Sequence, residues 1–234
     1  MQPKNQSGNL ALRLCLQTGI WLAAMAGLLF GGAASWHWPQ AWAFLAIFGI
    51  GSGAFGLWLL KRDPALLEAR LGSFSQKGQP SWDKFFVFLF ALLWLVWLWL
   101  MGRDARVWHL FQLPSWLNAV GGLMLVMGFV GVARVFKENS FAAPVIRIQS
   151  ERAQQVIDTG PYARVRHPMY AWALLYLFGT PLLLGSWLGL AVGVVMALGM
   201  ARRAVAEENL LKRDLSGYDR YMTRVRFRLI PGIW

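Results

Sequence analysis

A chain of 234 residues that is 57% hydrophobic and only 15% charged falls well short of the ~25% charge of a soluble domain, which excludes an ordinary water-bathed fold and points to lipid as solvent. A formal net charge of +12 would suggest a nucleic-acid partner in a soluble protein, but here the basic residues lie between apolar runs, so headgroup contact and membrane orientation account for them and no nucleic-acid partner is expected. The single cysteine, Cys15, excludes an internal disulfide and reads as a small hydrophobe.

A membrane span needs ~20 mostly apolar residues. Leu10 to Ala34 meets that, and its length and the spans behind it argue against a cleaved signal peptide. A turn with Trp36, His37 and Trp38 leads to a second span, Gln40 to Leu60, in which Gly49, Gly51, Gly53 and Gly56 predict a close helix approach. Lys61 to Lys84 is polar, with a short amphipathic piece from Pro64 to Leu71. Phe85 to Met101 and Leu113 to Phe136 are the third and fourth spans. Trp36, Trp38, Trp108 and Trp116 are expected to form an aromatic belt at one interface.

Lys137 to Pro168 is a polar insertion in which 145–148 and 155–158 predict two short strands of a hairpin. Met169 to Met200 is apolar but interrupted at Gly179-Thr180-Pro181 and Gly185-Ser186. Too long for one span and short for two, it is expected to be a hairpin or a broken helix. The tail from Ala201 is basic and amphipathic. The predicted fold is an all-α polytopic membrane protein of five to six helices in one domain, with a four-helix scaffold over 1–136 and a catalytic region over 137–234. If the N-terminus faces the cytosol, 21 of the 23 Lys and Arg residues fall on the cytosolic side, and only Arg103 and Arg106 do not. That asymmetry predicts an inner-membrane protein with both termini and the site in the cytosol.

Polar clusters at the membrane edge carry the functional hypotheses. The first runs from Thr159 to Tyr170 and contains Gly160-Pro161-Tyr162 and Arg166-His167-Pro168-Met169-Tyr170. Pro168 suits the first turn of a helix, so Arg166 and His167 stand at its mouth. Alone, Arg166 and His167 would read as an interfacial anchor; the flanking Gly-Pro-Tyr and Pro-x-Tyr favour a site. The second cluster is Glu207-Glu208, whose side chains diverge by about 100° on a helix. One is expected to face inward, and the other to face solvent or pair with Arg203 or Arg213. Tyr218, Tyr221 and Arg224 follow at three-residue spacing. No metal site is predicted.

The order G-P-Y-x-x-V-R-H-P-M-Y, E-E-x-x-L, Y-x-x-Y-x-x-R and L-I-P-G over Asn139 to Trp234 resembles the isoprenylcysteine carboxyl methyltransferases and the wider group that includes phospholipid methyltransferases. The resemblance implies S-adenosylmethionine as donor, with Tyr162, His167, Pro168, Tyr170 and Glu208 at the cofactor, Arg166 and Arg224 at a substrate carboxylate, and a lipid or amphiphilic acceptor. A carboxylate acceptor needs no base; an amine would need one, with His167 or Glu207 as candidates. Trp172, where the family often has a small residue, is expected to shape the lipid entrance. The alternatives are a phospholipid amine methyltransferase, an NADPH-dependent sterol-reductase-like enzyme, and a non-enzymatic transporter or scaffold. The reductase group shares Arg-His-x-x-Tyr and a Pro-Gly-Ile ending, but differs at Met169 and at Ala206-Glu207-Glu208. Few ionisable residues within the early spans argue against a transport path. The sequence leaves the oligomeric state open.

Overall fold

A computed structural model describes residues 4–73 and 75–234, without the side chains of residues 4–7. Lys4, counted above among the basic residues, therefore has its side chain outside the described residues. The elements are α1 (Lys4–Ala33), α2 (Pro39–Arg62), α3 (Pro64–Arg70), α4 (Ser81–Arg103, continued by a π-turn over Asp104–Trp108), α5 (Trp116–Glu138), α6 (Pro168–Leu184), α7 (Trp187–Asp214) and α8 (Tyr218–Arg224). Five of these, α1, α2, α4, α5 and α7, are long and apolar enough to cross a membrane. The molecule is an all-helical, polytopic membrane protein.

The interrupted segment is a helical hairpin. The break falls at Gly185, whose φ of +75° closes α6 in a conformation that costs glycine least. The Ser186 hydroxyl then caps α7 by accepting from the Gly189 N–H at 2.9 Å. Gly179-Thr180-Pro181 does not break the helix, although Pro181 removes one ladder bond. The carbonyl thereby freed, that of Leu177, faces Gly193 of α7, where an added Cβ would lie 2.9 Å from it. At 17 residues, α6 is about 26 Å long and falls short of a ~30 Å hydrocarbon layer.

Two acidic side chains pin the ends of α4. Asp104 is buried and accepts from the Ser186 hydroxyl at 2.7 Å and the Leu188 N–H at 2.8 Å, which fixes the α6–α7 turn. Asp83, at the opposite end, is fully buried and accepts from Gln79 Nε2, the Ile146 N–H and Arg203 Nε at 2.8–2.9 Å. Arg70 Nη1 also donates to the Ala142 carbonyl at 3.1 Å. These bonds gather the α2–α4 connection, the 139–167 insertion and the base of α7 at one end of the bundle.

Several expectations are corrected. The insertion has no strand among the described residues; 145–148 and 155–158 carry no regular structure and flank a 3₁₀ turn at Ser150–Arg152. Side chains take the backbone groups that a ladder would have used. The Ile146 N–H goes to Asp83, the Gln149 N–H goes to Gln154 Oε1 at 2.8 Å, and the Phe141 carbonyl accepts from Gln149 Nε2 at 2.7 Å. The glycines of α2 are not where backbones meet: Gly49, Gly51 and Gly56 receive side chains of Leu22, Phe129 and Leu14, and Gly53 faces open space. Backbone contact occurs instead where Gly32 of α1 crosses Gly102 of α4 and where Gly121 of α5 meets Gly179 of α6. Trp38 leaves the expected belt for the core, beside Phe44 and Leu184, whereas Trp36, Trp108 and Trp116 are exposed. The Trp172 indole packs onto Gly131, between α5 and α6.

Candidate active site

The first turn of α6 is held by the tail. The Arg166 and His167 N–H groups donate to the Phe227 and Arg228 carbonyls, each at 2.9 Å. Pro168 needs no such partner, which is why the helix starts there without an orphan donor. Arg166 then reaches back: Nε donates to Glu208 Oε1 at 2.6 Å, and Nη1 donates to the Val225 and Arg226 carbonyls at 2.7 and 2.8 Å. Arg228 Nε donates to Glu208 Oε2 at 2.9 Å, and His167 Nε2 lies 3.2 Å from Oε1. Glu208, with a side chain only 3% exposed, is thus enclosed by two guanidiniums and an imidazole. Two arginines neutralise a charge that would otherwise be costly to bury.

Glu207 sits differently. Its side chain is 25% exposed, and it lines a cavity of about 100 Å³ between the α6–α7 end, α8 and the insertion. Among the described residues only its Oε2 is engaged, accepting from the Tyr170 hydroxyl at 2.8 Å and lying 3.7 Å from His167 Nδ1. The Tyr170 hydroxyl accepts in turn from Arg203 Nη1 at 2.9 Å, and Arg203 is bound to Asp83. The His167 and Tyr170 rings stack with centroids 5.5 Å apart. Asn139 Nδ2 donates to the Tyr162 hydroxyl at 2.7 Å, and Tyr221 donates to the Tyr162 carbonyl at 2.8 Å. Burial pushes the Tyr162, Tyr218 and Tyr221 phenols above their usual range, so they meet a ligand as neutral aromatic faces and hydroxyls.

The structure therefore brings Tyr162, Arg166, His167, Tyr170 and Glu207 to one cavity, together with Tyr218 and Tyr221. Pro168 and Glu208 stand behind that wall rather than on it. Arg224 is exposed, outside the lining, and pairs with Asp158. Arg203 and Arg213 bond to Asp83 and Asp214, not directly to the Glu207-Glu208 pair. Two residues escape a reading of the sequence: Asp83, which resembles any acidic residue in a helix's first turn, and Arg147, which looks like one more basic residue of the insertion; Arg203, offered by the sequence as a partner for the Glu207-Glu208 pair, pairs instead with Asp83.

The arrangement suits a cationic, amphiphilic ligand. A carboxylate with a free oxygen faces the cavity, and aromatic faces that attract onium groups surround it. The volume is small beside the ~300–1,000 Å³ of ordinary ligand sites.

Comparison with known proteins supports the same chemistry. Residues 116–216 match the family profile for phospholipid methyltransferase. Over 239 aligned positions the chain is 26% identical to the protein-S-isoprenylcysteine O-methyltransferase of Schizosaccharomyces pombe, covering 93% of this chain and 96% of that protein. Over 112 residues it is 27% identical to the nickel-cobalt-cadmium resistance protein NccN of Alcaligenes xylosoxydans xylosoxydans. That second alignment takes in 47% of this chain and spans half the length of the resistance protein.

Proposed function

From its membership of the phospholipid and isoprenylcysteine methyltransferase family, we propose that this membrane methyltransferase moves a methyl group from S-adenosylmethionine to a lipid-borne carboxylate. The observation that carries this reading is the cavity-facing Glu207 set among Tyr162, Tyr170 and His167. Glu207 would pair with the donor's ammonium through the oxygen that Tyr170 does not engage. The Tyr162 face would lie against positive charge, an attraction worth ~0.5–2 kcal/mol, whereas the Tyr170 ring is already stacked on His167 and lies under Arg203. When bound, the donor supplies a methyl on a sulfonium that departs as a neutral thioether. Such a displacement is in-line, so the protein's task is positioning. Tyr170 and His167 hold Glu207 in place, and Arg166, locked to Glu208 and two tail carbonyls, fixes the mouth of α6. Pro168 and Glu208 act from behind the wall, by starting the helix and by clamping Arg166.

A carboxylate acceptor is already a nucleophile at neutral pH and draws no proton from these residues. The acceptor reaches the cavity from the bilayer, and the donor from the cytosol, where both termini lie in this topology. The reading is tested by titrating the detergent-purified protein with S-adenosylhomocysteine in a calorimeter; absence of saturable heat would sink it. The acceptor is identified by incubating membranes with methyl-labelled donor. Label released by mild base marks an ester, whereas base-stable label marks an N-methyl group and moves the reading to a phospholipid amine.

A further inference from the structure

The proposed transfer requires something to hold the acceptor's anion beside the donor, and the charged groups at the site narrow the choice. Among the described residues, only two arginines line the cavity, Arg147 and Arg166. Arg166 is already spent on Glu208 and two backbone carbonyls. Arg203 is consumed by Asp83, Tyr170 and the Pro144 carbonyl, and Arg228 by Glu208. Arg147 differs. Its side chain is 17% exposed, and Nη1 bonds at 2.6 Å to Glu151, a partner that is itself 54% exposed. Its Nε is buried without a hydrogen-bond partner among the described residues. A buried guanidinium N–H left unpaired is costly, while a surface pair such as that with Glu151 is weak and easily exchanged.

We infer, resting on the proposed methyl transfer, that Arg147 is the anion anchor for the acceptor: its planar fork, with Nε and one Nη, takes a carboxylate or phosphate oxygen pair of the lipid-borne substrate. Fork geometry matches such groups in bidentate fashion, which a point-charge ammonium does not. The placement also divides the cavity by sign. Glu207 on α7 provides the negative wall and Arg147 on the insertion the positive one. Asp83 fixes the insertion one residue away, through the Ile146 N–H.

The test compares three probes with the same tail: N-acetyl-S-farnesylcysteine, its neutral carboxamide, and farnesyl phosphate. Their affinities for the wild type, Arg147→Gln and Arg147→Lys are measured with and without S-adenosylhomocysteine. The wild type is expected to prefer an anionic probe over the carboxamide by about ten- to a hundred-fold, the range for a hydrogen bond to a charged group. Arg147→Gln should erase that preference and Arg147→Lys should keep part of it, with S-adenosylhomocysteine affinity and thermal unfolding unchanged. The tighter anion tells carboxylate from phosphate. A preference that survives Arg147→Gln, or no preference in the wild type, overturns the assignment. A matching loss of S-adenosylhomocysteine affinity also overturns it, by giving Arg147 to the donor's carboxylate. Failure of the wild type to bind S-adenosylhomocysteine sinks the transferase reading instead, and the anion preference measured without it still judges Arg147.

Discussion

Glu207 and Glu208 are neighbours in sequence with opposite circumstances. Glu208 is closed in by Arg166, Arg228 and His167; Glu207 keeps an oxygen toward the cavity. Removing Glu208 leaves Arg166 buried without its counter-charge, a change that costs about 3–5 kcal/mol. Glu208→Ala is therefore expected to lower the thermal unfolding temperature strongly, read by scanning fluorimetry in detergent. Glu207→Gln keeps the shape and the contact with Tyr170, so unfolding should barely shift. Its S-adenosylhomocysteine affinity should fall about ten-fold or more, as befits a charge-assisted contact, read by calorimetry. Equal effects from the two changes would refute the division of roles. The sequence showed that these carboxylates diverge, because helical geometry requires it. It did not show which one faces the cavity, since that depends on where the tail lays Arg228.

Among elements, the insertion was misread and the helices were not. Helices announce themselves through apolar length and turn residues. The insertion depends on contacts far apart in sequence: Asp83 with Ile146, Arg70 with Ala142, Gln149 with Phe141. Val145-Ile146 and Val156-Ile157 have strand propensity, yet side chains from elsewhere satisfy the backbone first. Asp83→Ala should therefore free the Ile146 amide. We expect faster hydrogen exchange there and quicker proteolysis between residues 144 and 157, with the spans still protected; unchanged protection at Ile146 would contradict this. The helix crossings carry the opposite lesson. Glycine-rich α2 drew attention, but Gly121 of α5 lies against the Gly179 carbonyl and the Leu183 amide. A Cβ has no room there. Gly121→Leu should separate α5 from α6 and lower the yield of folded, monodisperse protein on size exclusion, whereas Gly53→Leu, in open space, should not.

At the scale of the whole molecule, the polar connections between α2 and α4, the insertion and the base of α7 share one end, while Asp104, Ser186 and the His37–Arg106 contact mark the other. The distribution of basic residues predicts that the first end faces the cytosol. Cysteines placed singly at Glu151 and at Trp108, in a Cys15→Ser background, test it with a membrane-impermeant thiol reagent on intact cells. Label is expected at residue 108 and not at 151; the reverse pattern would invert the topology. This much of the architecture was legible because hydropathy and charge asymmetry are properties of long segments. The cavity was less so. Tyr162, His167 and Tyr170 lie in one continuous motif, but Arg147 joins them only through folding.

The pairing of Arg166 and His167 with the Phe227 and Arg228 carbonyls also bears on how the protein is made. Residues 227 and 228 leave the ribosome some sixty positions after the turn they complete. Until then, the mouth of α6 lacks its backbone partners and Glu208 lacks its second guanidinium. A chain that lacks this tail therefore carries the pieces of the pocket without its geometry. The geometry of the pocket waits on that tail.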